Sequence, residues 1–260
     1  MWNRRLPEFA CAANSVSLLM PYVEPYVVRS VRTVLSELDG ELRVDAAAYV
    51  RQEAQHHAQH RRFNDLLVVR YPSLHRVERW MDRTYGWLER TRTAKFNTAF
   101  AAGFEAIAFA AARWVDARAD RLFDGADNAP ASLLLWHLAE EVEHKSVAFD
   151  VFEKTDGSRR RYVGAMLVSL ILFGVFSVLA TLCMLASERR IFHPIAHLRL
   201  LGWTVTFVFV LLPLLGVSAT KSHHPSLFAD PPRLTQWLRE QDAFESHAGI
   251  DDVLPVLNRR

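Results

Sequence analysis

Trp136-His137-Leu138-Ala139-Glu140-Glu141-Val142-Glu143-His144-Lys145, continuing into the apolar-rich run Ser146 to Phe152, points to a helical protein built around a metal. Wound as a helix at about 100° per residue, His137, Glu141, His144 and Ala148 share one narrow stripe. Leu133, Leu134, Val151 and Phe152 flank that stripe, so it is expected to face the core. Three ionisable groups then point inward, where an unpaired polar group is costly. A metal ion is the simplest way to satisfy them. A second stretch, Gln52-Glu53-Ala54-Gln55-His56-His57-Ala58-Gln59-His60, repeats the Glu-x-x-His spacing. Two Glu-x-x-His helices, with a single glutamate from each of two others, make the pattern of a di-metal carboxylate bundle.

Working outward, few glycines and long alanine- and leucine-rich segments at helical spacing predict an all-α protein. A first helix is expected from about Tyr22 to Leu38, with Pro21 and Pro25 at its first turn, where backbone donors are unpaired anyway. Asp39-Gly40 is a stop signal, and a second helix runs from about Val44 to Val69. The amphipathic segment Leu74 to Thr93 then connects two helix pairs. A third helix spans about Ala94 to Leu122, the breaker-rich loop Asp124 to Pro130 follows, and a fourth covers Ala131 to about Lys154. Helix pair, crossover, helix pair is the order of a ferritin-like four-helix bundle. At about 1.5 Å per residue, Glu24 falls level with Glu53 and His56 across the first turn, and Glu105 within a turn or two of Glu141 and His144. Thr98, Ala101, Ala108 and Ala112 leave room beside Glu105.

After Lys154 the composition changes. The basic linker Asp156-Gly157-Ser158-Arg159-Arg160-Arg161 leads into Val163 to Ala186, which carries no charge. A second uncharged run extends from Leu200 to Thr220, interrupted by Pro213 and two glycines. Each reaches the length of about 20 residues that crosses a bilayer, so together they read as a C-terminal apolar, transmembrane helical hairpin with the loop Ser187 to Arg199. The rival is a pair of core or oligomer-interface helices. Three segments are therefore expected: residues 1–158 as the di-metal bundle, 159–221 as the hairpin, and 222–260 as a helical tail, amphipathic around Arg233 to Phe244, on the bundle side. Flanking charges barely fix an orientation, with Arg159, Arg160, Arg161 and Lys221 on one side and Arg189, Arg190 and Arg199 on the other. The first residues lack the apolar core of a signal peptide, which places the bundle on the cytoplasmic face of the inner membrane. A net charge of +2 and nearly equal numbers of acids and bases imply no nucleic-acid partner. Two distant cysteines, Cys11 and Cys183, imply neither a disulfide framework nor a cysteine zinc site.

The expected ligands are Glu24, Glu53, His56, Glu105, Glu141 and His144. His60 and His137 each lie one turn from a site histidine on the same face, as extra ligands, supporting partners or proton carriers. Glu140 borders the stripe and is placed to orient His144 or His137, or to shuttle protons. Oxygen-rich ligation with one imidazole per metal suits two iron ions, with manganese or zinc as alternatives. His75, His193, His197, His223, His224 and His247 show no carboxylate at useful spacing.

The pieces Pro21-Tyr22-Val23-Glu24, Gln52-Glu53-Ala54-Gln55-His56 with His60 and Asn64, and Trp136-His137 with Glu140 through Lys145 resemble the bacterial predicted metal-dependent hydrolase family. The apolar segment and His224-Pro225 are similar to that family's C-terminal half. Val23, where the pattern has glycine, and Pro25 depart from it. The resemblance implies a metal-dependent hydrolytic activity.

The site chemistry itself leads first to an O2-dependent oxidoreductase, hydroxylating or desaturating a hydrophobic, lipid-like substrate that arrives from the membrane. The alternative is hydrolysis by a metal-activated water. The third reading is non-enzymatic metal storage or sensing, which would not need a membrane hairpin. A redox partner and a homodimer are both compatible with the chain.

Overall fold

The computed structural model describes residues 1–220 and 223–247, with side chains as far as residue 240. Lys221 and the end of the expected tail, residues 248–260, lie outside the described residues. Regular structure among the described residues is helical: α1 (Pro7–Val34), α2 (Gly40–Arg70), α3 (Leu74–Thr91), α4 (Ala94–Asp116), the single turn α5 (Ala119–Leu122), α6 (Asn128–His144), α7 (Val147–Thr155), α8 (Arg159–Ser187), α9 (Pro194–Ser218) and α10 (Pro232–His247).

The first helix begins fifteen residues earlier than its proline signals suggest, so Pro21 and Pro25 are internal. Each removes an N–H that would bond the carbonyl four residues back, which frees the carbonyls of Ser17 and Pro21. Both are taken up from α2. Asn64 Nδ2 donates to Ser17 O at 2.8 Å and Arg61 Nη2 to Pro21 O at 3.4 Å. The helix continues through two prolines because its neighbour supplies the missing donors. Gly40, at φ 54°, turns the chain back into α2.

The third and fourth expected helices are each divided. α4 stops at Asp116, whose carboxylate accepts the Leu234 N–H at 2.8 Å and so holds the first turn of α10. α6 and α7 are separated by Lys145 and Ser146, which keep right-handed helical dihedrals. Lys145 Nζ reaches Phe228 O at 3.1 Å and pairs with Asp230, tying the break to the segment before α10. The amphipathic connection is the helix expected: Leu74, Val77, Met81, Tyr85 and Leu88 recur at helical spacing and are buried.

The two apolar helices, α8 and α9, are long enough to cross a membrane, with mean hydropathies of 2.5 and 2.2 over their most apolar windows. Only 28% and 17% of those windows is buried in the protein, far from what a core helix would show. Ile171, Leu201, Phe209 and Leu212 instead project outward. The inner face of α8 lies along α1 and α4, and one continuous core runs from α1–α4 into both apolar helices. Its closest approach is at Gly103, where a Cβ would sit 2.7 Å from Met166 Cα. The α8–α9 loop is anchored by the buried Glu8, which accepts from Arg199 at 2.6 Å and Arg190 at 3.4 Å.

Gly103→Ala is expected to lower stability by about 1–3 kcal/mol through overpacking against α8. Gly174→Ala, with open space around it, should be neutral or stabilising by up to about 1 kcal/mol through helix propensity. Thermal unfolding in detergent, followed by circular dichroism, measures both.

Candidate metal centre

Four helices deliver the polar core. On α2, Tyr49, Glu53, His56, His60 and Asn64 recur at spacings of four, three, four and four, so helical geometry places them on one face, and all are buried. On α6, His137, Glu141 and His144 do the same. α1 adds Glu24 and α4 adds Glu105, each fully buried. The structure therefore brings together all six expected ligands, together with His60 and His137.

Their donor atoms converge. His144 Nδ1 lies 2.7 Å from Glu53 Oε1, and His56 Nδ1 lies 3.5 Å from Glu53 Oε1 and 3.6 Å from Glu141 Oε1. Glu53, His56, Glu141 and His144 form one group able to hold an ion, with all donors within 4.8 Å of one another. Glu24, His60 and His137 form a second such group. Glu105 belongs to neither. Its Oε1 accepts from Tyr49 Oη at 2.5 Å, and its Oε2 is partnerless.

The outward nitrogens of the two Glu-x-x-His imidazoles are held from behind. His56 Nε2 lies 2.7 Å from Glu140 Oε2, while Trp136 Nε1 donates to Glu140 Oε1 at 2.7 Å. His144 Nε2 lies 3.1 Å from Gln52 Oε1. These contacts orient each ring with Nδ1 toward the centre, as partners of metal-ligating histidines do. Glu140 therefore fixes His56, rather than the expected His144 or His137. Each of its oxygens makes one of these contacts.

Whether these residues suit a metal is answered by their unmet valences. Among the described residues thirteen buried side-chain N and O atoms make no well-formed hydrogen bond, and seven of them are here: both oxygens of Glu24, Glu105 Oε2, Glu141 Oε2, His56 Nδ1, and Glu53 Oε1 with His144 Nδ1, which lie 2.7 Å apart and pair only as charges. Buried polar groups are normally paired, so this concentration marks a cation site. The charges agree. Burial, then Glu53, pushes the Glu24 carboxyl well above its ordinary range, and burial followed by Glu141 and Glu53 does the same to Glu105. Glu53 moves the other way: burial opposes its charge, but the His144 and His56 rings beside it hold it down. His56 is raised against its burial by Glu140 and Glu53. Without a cation the cluster must balance itself with protons. Two divalent ions would neutralise the four carboxylates instead, and the residues fit them.

Several partners escaped the sequence reading. Tyr49 lies on the same α2 face as Glu53 and His56, so its position was visible but its role was not. Gln52 and Trp136 stand inside the motif stretches, but their contacts were not legible there, and Ser17 gave no signal. Elsewhere, His75 and His224 do have carboxylates, Glu78 at 3.1 Å and Asp150 at 2.7 Å, the second of which only the fold brings near.

Over residues 1–227 the chain matches the family model described as predicted metal-dependent hydrolase, and it belongs to that family. No curated protein and no solved structure matches it.

Glu140→Gln should lower metal affinity about 10- to 100-fold by releasing His56, as read by calorimetric titration with Mn2+. Ligands that carry protons in the metal-free state must shed them on binding. With Glu24, Glu105, His56 and His144 all raised, affinity should rise with pH, and titrations in buffers of different ionisation enthalpy should report net proton release.

Proposed function

We propose that this protein is a membrane-associated, metal-dependent hydrolase acting on a hydrophobic, acyl-chain-like substrate. One observation carries the substrate side of this reading. A cavity of about 400 Å3 lies between the bundle and the two apolar helices. Phe173, Val178 and Leu182 of α8 and Leu200, Trp203 and Phe207 of α9 line one side, while His60, His137 and Glu141 line its polar end. Apart from that end the lining is overwhelmingly apolar, the composition expected of a pocket that buries a hydrocarbon and orients it by a few polar groups. α8 and α9 expose apolar surface on their far side, so a molecule dissolved in lipid would meet the cavity's outer wall first.

The reactive bond of such a substrate would rest against His60, His137 and Glu141, with its apolar portion extending toward α8 and α9. Ser15 and Ser177 also line the cavity, but neither bonds a histidine. Ser15 Oγ donates to Ala12 O and accepts from Thr181, and Ser177 Oγ has no partner. No activated protein nucleophile faces the substrate, which favours attack by water. Divalent ions held by Glu24, Glu53, His56, Glu105, Glu141 and His144 would lower the pKa of that water and polarise the carbonyl under attack. Sulfur-free, oxygen-rich donors suit iron or manganese. The chain's own contribution is to keep bulk water out by complete burial, to hold His56 and His144 in register through Glu140 and Gln52, and to bind the substrate's chain.

The same donor set favours a second reading, O2-dependent oxidation of the bound chain, and one experiment separates the two. Purified protein in detergent, supplied with long-chain acyl esters in H2(18)O, is expected to release acid carrying one solvent oxygen, equally well with and without air, and to lose activity on chelation. Turnover that needs O2 and places its label in a C–H position would overturn hydrolysis. Ala111→Trp, within the cavity lining, should raise KM for long-chain esters several-fold more than for short ones.

A further inference from the structure

We propose that Glu24, His60 and His137 hold a metal ion of their own at the polar end of the cavity, so that the centre has two unlike seats. The assignment rests on the metal-centre reading and goes beyond the pairing expected from the two Glu-x-x-His motifs. In that pairing Glu24 would join Glu53 and His56, with His60 and His137 left open as extra ligands, supporting partners or proton carriers.

The argument begins at Pro21. Because it lacks an N–H, the carbonyl of Ser17 is free to accept from Asn64 Nδ2 at 2.8 Å. That bond settles which end of the Asn64 amide is which, so Oδ1 must face Ser17 Oγ, 2.8 Å away, as an acceptor. Ser17 has a single hydroxyl proton and spends it on Asn64. The remaining contact of Ser17 Oγ, to His60 Nδ1 at 2.8 Å, must then be an N–H donated by the imidazole. A neutral imidazole with Nδ1 protonated carries its lone pair on Nε2. His60 Nε2 points at the centre, 2.6 Å from His137 Nδ1.

Glu24 supplies the second half. It is fully buried, and neither of its oxygens has a hydrogen-bond partner. Oε1 lies 3.4 Å from His137 Nε2, and donors from all three residues fall within 4.8 Å of one another. A lone pair of fixed direction, an unpaired carboxylate and a further imidazole are what a first-row divalent ion needs. His60 and His137 also line the cavity, whereas His56 and His144 do not. Glu141 of the other group lines it as well, so an ion in this seat would face substrate alongside that carboxylate.

Metal content measured by mass spectrometry, with Mn2+ titration on the full chain in detergent, tests the assignment. Wild type is expected to bind two ions and His60→Gln one, with the retained ion lost on Glu53→Ala. Ser17→Ala leaves all three donors but removes the acceptor for His60 Nδ1–H. It should weaken one of the two ions about 10- to 100-fold, and it decides the matter if His60→Gln fails to fold by circular dichroism. Two ions bound with unchanged affinity in both variants would overturn the second seat and leave a hydrogen-bonded histidine pair. A wild type that binds one ion, kept by His60→Gln, would overturn it equally. A wild type that binds none would instead sink the metal centre as a whole.

Discussion

Four glutamates and four histidines share one buried core, and their burial constrains the rest of this protein. Glu24, Glu53, Glu105 and Glu141 are each almost completely inaccessible, and the ionised form of a buried carboxylate is expensive unless something pairs with it. Within the protein, His56, His137 and His144 offset part of that cost. Glu24 and Glu105 are left with raised affinity for protons, and seven donor atoms make no well-formed hydrogen bond. A core of this kind is stable as packing only if charge can be exchanged, proton for cation, at the same atoms. That makes the polar cluster able to hold metal ions.

The surrounding helices are arranged to make those atoms stay where they are. Glu140, braced by Trp136, fixes one imidazole, and Gln52 fixes another. The internal prolines of α1 work on the same principle from the backbone side. A helix interrupted at Pro21 and Pro25 exposes two carbonyls, and α2 answers with Asn64 and Arg61. A local irregularity thus becomes an interhelical tie, and through Ser17 it reaches the ring of His60.

The apolar helices serve a related end. α8 covers α1 and α4 closely enough that only glycine is accommodated at position 103, while the outer surfaces of α8 and α9 remain hydrocarbon-rich. Between this cover and the bundle lies the cavity that ends at His60, His137 and Glu141. The polar site and the apolar cover are therefore one construction, joined at a cavity that both of them line.

Much of this was legible in the order of residues. Helical periodicity is a local property, repeated every few residues, so the helical class, the shared face of Glu53 and His56 with His60, the shared face of His137, Glu141 and His144, and the two membrane-length helices all follow from spacing alone. The single glutamates Glu24 and Glu105 followed from matching heights across antiparallel helices, which depends only on the rise per residue. What spacing does not carry is how each helix is rotated about its axis and which neighbour it meets. Ser17 stands forty-three residues from His60, and Glu140 eighty-four from His56. Their contacts exist because lateral packing turned those faces together. The start of α1 was misplaced for the same reason, since the donors that let a helix pass through two prolines come from another helix. Only the tertiary structure decided that His60 Nδ1 meets Ser17, that Glu140 lies against His56, and where the cavity between bundle and apolar helices is.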